Sequence, residues 1–187
     1  MSVQIVPILG SLFTLSEAGL AWLKRSGTAA ADADRGSLRA IWIVIALSVG
    51  AAFVCANVLP QLALGPRAIW RPAGVAVFAD GTLLRWYAIL SLGRFFTVNV
   101  AIAADHELID AGIYRRVRHP SYTGALLAFA GLGLCIDNWA SLAALVLPVA
   151  VVFWWRMRIE EAALLETFGE RYRDYMRRTR RLIPFIY

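Results

Sequence analysis

Long runs of apolar residues constrain this chain more than any other feature. Residues 41–64 include no charged side chain, and neither do residues 138–155. About 20 mostly apolar residues are enough for a helix to cross the hydrocarbon core of a bilayer, so both runs predict membrane-spanning helices. Residues 3–23 contain a single acid, Glu17, and form a third candidate.

Two further apolar runs are less regular. Residues 120–136 are uncharged but short, and residues 72–93 contain Asp80 and Arg85. We therefore predict an all-α integral membrane protein with about five transmembrane helices. The composition agrees, since 59% of the residues are hydrophobic and 17% are charged, against about 45–50% and about 25% in soluble domains. It excludes a disordered chain and a soluble nucleic-acid-binding protein, and we expect no nucleic-acid partner.

The basic residues predict the orientation in the membrane. They cluster between the first and second runs, between the third and fourth, and after the fifth. Because loops rich in arginine and lysine stay in the cytoplasm, we expect the amino terminus outside and the carboxyl terminus inside. No basic stretch and cleavage site accompany the first run, so we interpret it as a retained helix rather than a signal peptide. The small, polar linker at residues 26–37 is expected to be flexible.

The polar residues concentrate late in the chain, in two blocks. Residues 108–124 and 156–187 both lie on the expected cytoplasmic side. The fourth and fifth runs are separated only by Asp137 and Asn138, which predicts a tight helical hairpin. The two blocks should therefore meet at one face of the membrane, where ionisable groups need partners or a function.

The first block predicts the start of a helix. Pro120 suits the first helical position, where a missing N–H costs nothing, and His119 then lies at the helix entry. Free N–H groups at that end favour an anionic ligand. On the pattern alone, a cytoplasmic arginine cluster with a capping histidine is the favoured explanation of the same residues.

The second block combines opposite charges on one helix. Arg156 and Glu160 are four residues apart and share a face, with Glu161 on a neighbouring face. The helix is expected to continue to Phe168 and to end at Gly169. Two interpretations stay open: a salt bridge followed by a basic helix on anionic lipids, or an arginine for an anionic substrate beside a glutamate for a cofactor. An enzyme and a membrane scaffold both fit this pattern.

Several other motifs carry less information. The pair Gly131 and Gly133 lies in an apolar helix without a preceding strand, so it predicts close helix packing rather than dinucleotide binding. Arg85 either pairs with Asp80 or faces the site, and Asn99 either lines a cavity or caps a turn. We predict no metal site, because zinc-type spacing is absent from the histidines, acids and cysteines considered, namely Cys55, Asp105, His106, Glu107, His119 and Cys135.

Taken in order, the two blocks read GIYRRVRHPSYTG and RIEEAALLETFGERYRDYMRRTRRLIP. Together they resemble the isoprenylcysteine carboxyl methyltransferase family, integral membrane enzymes that use S-adenosylmethionine. The resemblance covers residues 83–185 and looks closest to small bacterial members. It implies a bacterial inner-membrane protein with transmembrane helices and a cofactor pocket closed by the cytoplasmic carboxyl-terminal helical segment.

The resemblance also implies site residues. Arg156 and Glu160 match the catalytic pair of the family. Arg85, Asn99 and Arg156 are our candidates for substrate binding. The implied cofactor contacts are Gly112, Tyr114, Val117, Arg118, His119, Pro120, Tyr122, Glu160 and Glu161, with Tyr172 and Tyr175 as further contributors from the tail.

The acceptor stays open between several lipophilic molecules. The resemblance implies the carboxylate of an isoprenylcysteine-type or prenylated substrate that enters from the bilayer, where membrane lipids are further partners. Related bacterial enzymes methylate hydroxyl groups of alkylpyrones and phenolic lipids instead, and a phospholipid amine or small thiol is another alternative. We expect one domain over residues 1–187, with two amino-terminal helices in 1–70 and the functional core in 72–187.

Overall fold

Helices make up the regular structure of residues 5–23, 35–96 and 107–184, the part of the chain that the computed structural model describes. Short 3-10 turns lie between some of the helices, and within these ranges the only β-pairing is an isolated bridge between Val117 and Arg180. The prediction of an all-α protein is confirmed. The helices are α1 (Ile5–Leu23), α2 (Arg35–Val58), α3 (Arg67–Leu92), α4 (Pro120–Ile136), α5 (Trp139–Phe168) and α6 (Glu170–Arg178).

Within the described residues, three stretches are long and apolar enough to cross a membrane, namely Gly36–Val58, Arg67–Phe95 and Trp139–Phe168. Ile5–Leu20 and Pro120–Ile136 are apolar but shorter. The third run is therefore long and apolar enough to cross a membrane in spite of Asp80 and Arg85, because its helix begins at Arg67 and is longer than the run itself. The integral membrane character is supported, and the count of about five spans stays a prediction.

The bounds of α2 differ from those expected. The helix covers Arg35–Val58 rather than residues 41–64. It ends at Val58 because Pro60 disfavours the helical conformation at the residue before it. It begins inside the linker 26–37, which the sequence predicts to be flexible, and there Ser37 is only 3% exposed. Residues 35–37 are thus helical, which corrects the expectation for the end of the linker.

The α4–α5 hairpin forms as expected. Asp137 ends α4 in the left-handed conformation with φ of 65°. The side chain of Asn138 then accepts a hydrogen bond from the Ser141 N–H at 3.0 Å and caps α5. The Ser141 hydroxyl donates to the Ala52 carbonyl at 2.7 Å, which ties α5 to α2.

Glycines let α3 and α4 touch through their backbones. A Cβ atom on Gly81 would lie 2.5 Å from the Ala128 nitrogen, and one on Gly124 would lie 2.5 Å from the Arg85 nitrogen. Gly131 likewise leaves no room for a Cβ, so the interpretation of this glycine as a packing residue is confirmed. The close approach brings Arg85 against the first turns of α4.

Helix α5 is long enough for its charged last turns to extend beyond the apolar part of the bundle. Its 30 residues span about 45 Å, against a hydrocarbon core of about 30 Å. The helix ends at Phe168, as expected, because Gly169 has φ of 54°. After this break, α6 packs its buried Tyr172 and Tyr175 beside Leu108.

Candidate active site

A polar site forms where the entry of α4, the last turns of α5 and the tail after α6 meet. The tail runs beside the residues that precede α4. The Arg118 N–H donates to the Arg180 carbonyl at 2.8 Å, the His119 N–H to the Arg181 carbonyl at 2.9 Å, and the Arg180 N–H to the Arg116 carbonyl at 3.0 Å. The two polar blocks therefore meet, as their positions in the sequence indicated.

Glu161 of α5 binds both the residues before α4 and the tail. Its side chain is 5% exposed and accepts hydrogen bonds from Arg118 Nε at 2.9 Å and Arg181 Nη2 at 2.6 Å. His119 Nε2 lies 3.2 Å from the same carboxylate. Because a buried carboxylate is costly unless cations and donors surround it, this cluster holds the tail against the entry of α4.

Glu160 organises the neighbouring polar cluster. Its Oε1 atom accepts from the Tyr122 hydroxyl at 2.5 Å and from Arg156 Nε at 3.0 Å. His119 Nδ1 lies 3.6 Å from the other carboxylate oxygen. The expected contact between Arg156 and Glu160 is present. Only 2% of Arg156 is exposed.

A second helix also contacts Arg156. The Nη1 atom of Arg156 donates a hydrogen bond to Ser37 Oγ in the first turn of α2. Ser37 and Arg156 are 119 residues apart, and both are buried. The guanidinium is therefore held from α2 as well as from its own helix.

A cavity of about 270 Å³ opens onto these polar groups. Its polar end includes His119, Tyr122, Arg156 and Glu160. Its apolar end lies among α1, α2 and the facing sides of α4 and α5, where it is lined by Gly10, Phe13, Ile41, Trp42, Ile45, Val49, Phe129 and Phe153. The site is thus amphipathic, with charge at one end and a hydrocarbon-like wall at the other.

Arg85 lines the cavity but is paired with α1. Its Nε and Nη2 atoms donate to the Glu17 carboxylate at 2.5 and 2.6 Å, and Nη1 donates to the Ser121 carbonyl at 3.3 Å. The alternative of a pair with Asp80 within α3 is wrong, because Asp80 lies on the exposed side of the helix while Arg85 points to the cavity.

The tyrosines of the tail differ in their hydrogen bonding. The Tyr175 hydroxyl donates to the Tyr114 carbonyl at 2.7 Å. The Tyr172 hydroxyl is buried and has no hydrogen-bond partner among the described residues, although Tyr172 lines the cavity. Burial raises the pKa of the Tyr172 phenol well above its usual range, so the hydroxyl stays protonated and able to donate.

The proposed cofactor contacts do not all reach the cavity. Those that line it are Tyr114, Arg118, His119, Tyr122, Glu160, Tyr172 and Tyr175. Gly112 and Val117 line a separate depression, and Pro120 and Glu161 are buried in the surrounding wall. Asn99, the other candidate for substrate binding, lies outside the described residues. All these roles stay predictions.

The metal-binding residues considered in the sequence lie only partly within the described residues. Within residues 5–23, 35–96 and 107–184, no three His, Cys, Asp or Glu side chains form a group that could hold a metal ion. Asp105 and His106 lie outside the described residues.

Comparisons with known proteins place this geometry in a family. A family model described as Phospholipid methyltransferase matches residues 70–171, more than half of the chain. The chain belongs to the phospholipid methyltransferase family. The matched region contains Arg85, His119, Arg156 and Glu160, and so it includes most of the polar end of the cavity.

Curated relatives of this family member are isoprenylcysteine methyltransferases. Protein-S-isoprenylcysteine O-methyltransferase B of Arabidopsis thaliana is 34% identical over 115 residues, 60% of this chain and 58% of the relative. The enzyme of Tribolium castaneum is 36% identical over 115 residues, 60% of this chain and 41% of the relative. That of Rattus norvegicus is 32% identical over 149 residues, 78% of this chain and 51% of the relative.

A solved structure shows the same likeness. It is that of the eukaryotic intramembrane Ras methyltransferase ICMT, with a TM-score of 0.64 and 33% sequence identity. The match covers 77% of this chain and 52% of that protein. The resemblance to isoprenylcysteine carboxyl methyltransferases is therefore confirmed, and this family member spans less than two thirds of the length of these relatives.

Glu17 and Ser37 were not among the residues that the sequence predicted for the site. Glu17 left a usable signal, since a lone acid in an apolar helix calls for a partner. Ser37 left none, because it lies in a small, polar stretch that is typical of a linker.

Proposed function

We propose that this protein is an S-adenosylmethionine-dependent integral membrane methyltransferase that acts on the carboxylate of a lipophilic, isoprenylcysteine-type acceptor. The observation that carries the proposal is the amphipathic cavity, in which Arg156, Glu160, His119 and Tyr122 form the polar end of an apolar chamber. Membership of a methyltransferase family and similarity to isoprenylcysteine methyltransferases support it.

Arg156 suits an anionic acceptor. A carboxylate is ionised at neutral pH and needs no general base before it attacks a methyl group. A guanidinium can bind it through two parallel hydrogen bonds and hold it in line for transfer. Glu160 supports this role, because its bond to Arg156 Nε restricts the guanidinium.

The apolar end of the cavity suits the tail of the same acceptor. Its wall of aliphatic and aromatic side chains from α1 and α2, such as Phe13, Ile45 and Val49, offers a hydrocarbon chain an environment similar to the bilayer. Burial there contributes about 0.8 kcal/mol for each CH₂ group. Entry between helices would let the acceptor reach Arg156 without leaving the membrane.

The residues around the polar end fit the proposed cofactor. The Tyr172 hydroxyl is a buried donor without a protein partner among the described residues, which a polar ligand would satisfy. Aromatic faces such as Tyr122 stabilise cations, and Glu160 supplies negative charge. S-adenosylmethionine brings a reactive methyl group on a sulfonium, so the protein needs to align the acceptor and exclude water.

Other acceptors make different demands on the same residues. A phenol or enol, as in an alkylresorcinol or alkylpyrone, would need His119 or Glu160 as a base and Arg156 to stabilise its anion. A phospholipid amine would gain nothing from Arg156, although the chain belongs to the phospholipid methyltransferase family. A membrane scaffold would need none of these contacts.

We propose in addition that the whole chain is one domain, with functional core residues 72–187. We also propose a bacterial inner-membrane location with the amino terminus outside and the polar site on the cytoplasmic face. The clusters of arginine after α1, before α4 and after α5 support this orientation.

The decisive experiment is methyl transfer from radiolabelled S-adenosylmethionine by the purified protein in lipid. A farnesylcysteine analogue, an alkylresorcinol and a phosphatidylethanolamine are offered in parallel. We expect label in a base-labile ester of the first. Label in a base-stable ether or in an amine would instead assign a hydroxyl or phospholipid acceptor, and no cofactor binding would leave a scaffold.

Arg156→Ala is the matched test of mechanism. We expect a loss of methyl transfer of at least about a hundredfold, as for the removal of one electrostatic contact in a transition state, with little change in cofactor affinity. Arg158→Ala is the control, because Arg158 is exposed two residues further along α5 and its guanidinium lies over the Trp154 ring. Equal activity of Arg156→Ala and wild type would remove Arg156 from the mechanism.

A further inference from the structure

Ser37 lies outside the polar blocks but makes direct contact with the proposed catalytic arginine. It lies in the first turn of α2 and is 3% exposed. Arg156 Nη1 donates to its hydroxyl oxygen, while Arg156 Nε donates to Glu160 at 3.0 Å. The two bonds use different nitrogens of one planar group.

Two bonds in different directions fix the plane of a guanidinium. Glu160 belongs to the same helix as Arg156 and moves with it. Ser37 belongs to another helix and therefore fixes the guanidinium relative to the cavity wall, to which α2 contributes Ile41, Ile45 and Val49. The orientation matters because a planar guanidinium forms two parallel hydrogen bonds with a carboxylate only when the two groups are aligned.

The Ser37 hydroxyl is not needed to hold the two helices together. Ser141 of α5 donates to the Ala52 carbonyl of α2 further along the same interface. Buried apolar residues, among them Ile41 and Val149, add to the core of the bundle. Loss of one hydroxyl at the start of α2 should therefore leave the fold intact.

We infer that Ser37 is a positioning residue that sets the orientation in which Arg156 meets the anionic oxygen of the acceptor. The inference rests on the proposed function, since it concerns the arginine of the proposed reaction. Ser37 acts through Arg156 and touches neither reacting group in this scheme. Its removal lowers the turnover rate rather than the affinity for cofactor.

The chain offers a matched control for this test. Ser48 is also on α2 and also 3% exposed, but its hydroxyl has no hydrogen-bond partner among the described residues. Methyl transfer by wild type, Ser37→Ala, Ser37→Thr and Ser48→Ala is compared in lipid, with thermal unfolding of each. We expect kcat of Ser37→Ala to fall about tenfold or more, as for a hydrogen bond to a charged group.

The KM for cofactor of Ser37→Ala should match wild type. Its unfolding temperature should fall by no more than about 6 °C, the scale of one lost hydrogen bond, because Arg156 Nη1 loses one acceptor. Ser37→Thr should restore most of the rate. Ser48→Ala should stay within about twofold of wild type, the scale of a substitution that breaks no specific contact, because the Ser48 hydroxyl has no hydrogen-bond partner among the described residues. If Ser37→Ala does not fold, Ser37→Cys replaces it as a near-isosteric, weakly bonding variant.

Epistasis separates positioning from a general structural effect. In an Arg156→Lys background, Ser37→Ala should cost less than about twofold, because the residue through which it acts has been replaced. A wild-type rate for Ser37→Ala, or its full loss repeated in the Arg156→Lys background, overturns the inference alone. No methyl transfer by wild type to any acceptor overturns the proposed function, and the inference with it.

Discussion

At the scale of single residues, the buried polar groups of the cavity differ in what satisfies them. Tyr122, Arg156 and Glu160 satisfy one another. The Tyr172 hydroxyl has no such partner within the described residues. A buried hydroxyl without a partner costs about 1–3 kcal/mol, so a group of this kind at a cavity wall marks a place where a ligand can contribute binding energy.

Tyr172→Phe tests this residue. We expect the affinity for S-adenosylmethionine to fall roughly tenfold, the value of one hydrogen bond of about 1.4 kcal/mol, with no loss of thermal stability. Isothermal titration calorimetry and thermal unfolding measure the two quantities. An unchanged affinity would exclude Tyr172 from cofactor binding.

Tyr175→Phe is the contrasting variant for the same measurements. It removes the bond from the Tyr175 hydroxyl to the Tyr114 carbonyl. Because that carbonyl loses its donor, we expect a loss of about 1 kcal/mol in stability and a smaller effect on cofactor affinity than that of Tyr172→Phe.

At the scale of helices, an ion pair joins α1 to the rest of the site. Glu17 and Arg85 have side chains that are 12% and 14% exposed, and Arg85 also contacts the Ser121 carbonyl at the start of α4. One pair therefore links α1, α3 and α4 beside the cavity. Such a pair adds little net stability, because the cost of desolvating two charges offsets their attraction.

Glu17→Ala should destabilise the protein by about 3–5 kcal/mol, because it leaves the charge of Arg85 buried and unpaired. The double variant Glu17→Leu with Arg85→Leu should be more stable than Glu17→Ala or Arg85→Ala, because it leaves no buried charge without a partner. Denaturant unfolding in detergent measures both. A double variant as unstable as the sum of the two single changes would contradict this account.

The control for the Glu17 pair is Arg177→Ala on α6. Arg177 pairs with Asp174, and these side chains are 74% and 69% exposed. We expect a change of less than about 1 kcal/mol, since water and ions already screen this pair.

At the scale of the whole molecule, the bundle is polarised along its length. The polar end of the cavity, the last turns of α5 and the paired tail lie together. The α4–α5 hairpin lies at the opposite end, where Asn138 donates to the Leu59 carbonyl after α2 at 2.7 Å. A membrane that contains this bundle would place the two ends in different compartments.

Reporter fusions test the orientation. A phosphatase that is active only outside the membrane should be inactive when fused after Tyr187 and active when fused after Gly65, which precedes α3. The reason is the excess of arginine near the polar end. The opposite pattern would reverse the orientation, and activity at both positions would mean that the span count is wrong.

Local patterns in the sequence predicted most of the helices and the pair of Arg156 and Glu160 in the site. Apolar runs predicted α1 to α5, although not all of their bounds. Pro120 and Gly169 marked the start of α4 and the end of α5, and four-residue spacing placed Arg156 and Glu160 on one face. These features depend on neighbours in the chain, which periodicity and turn chemistry describe.

Only the tertiary structure decided the contacts that complete the site. Arg85 pairs with Glu17 across 68 residues, and Arg156 bonds Ser37 across 119. Neither the choice of Glu17 over Asp80 nor the burial of Ser37 follows from spacing, because no local rule relates residues on separate helices. Helix packing brings them together, and it also buries the Tyr172 hydroxyl without a protein partner among the described residues, in a side chain that lines the cavity.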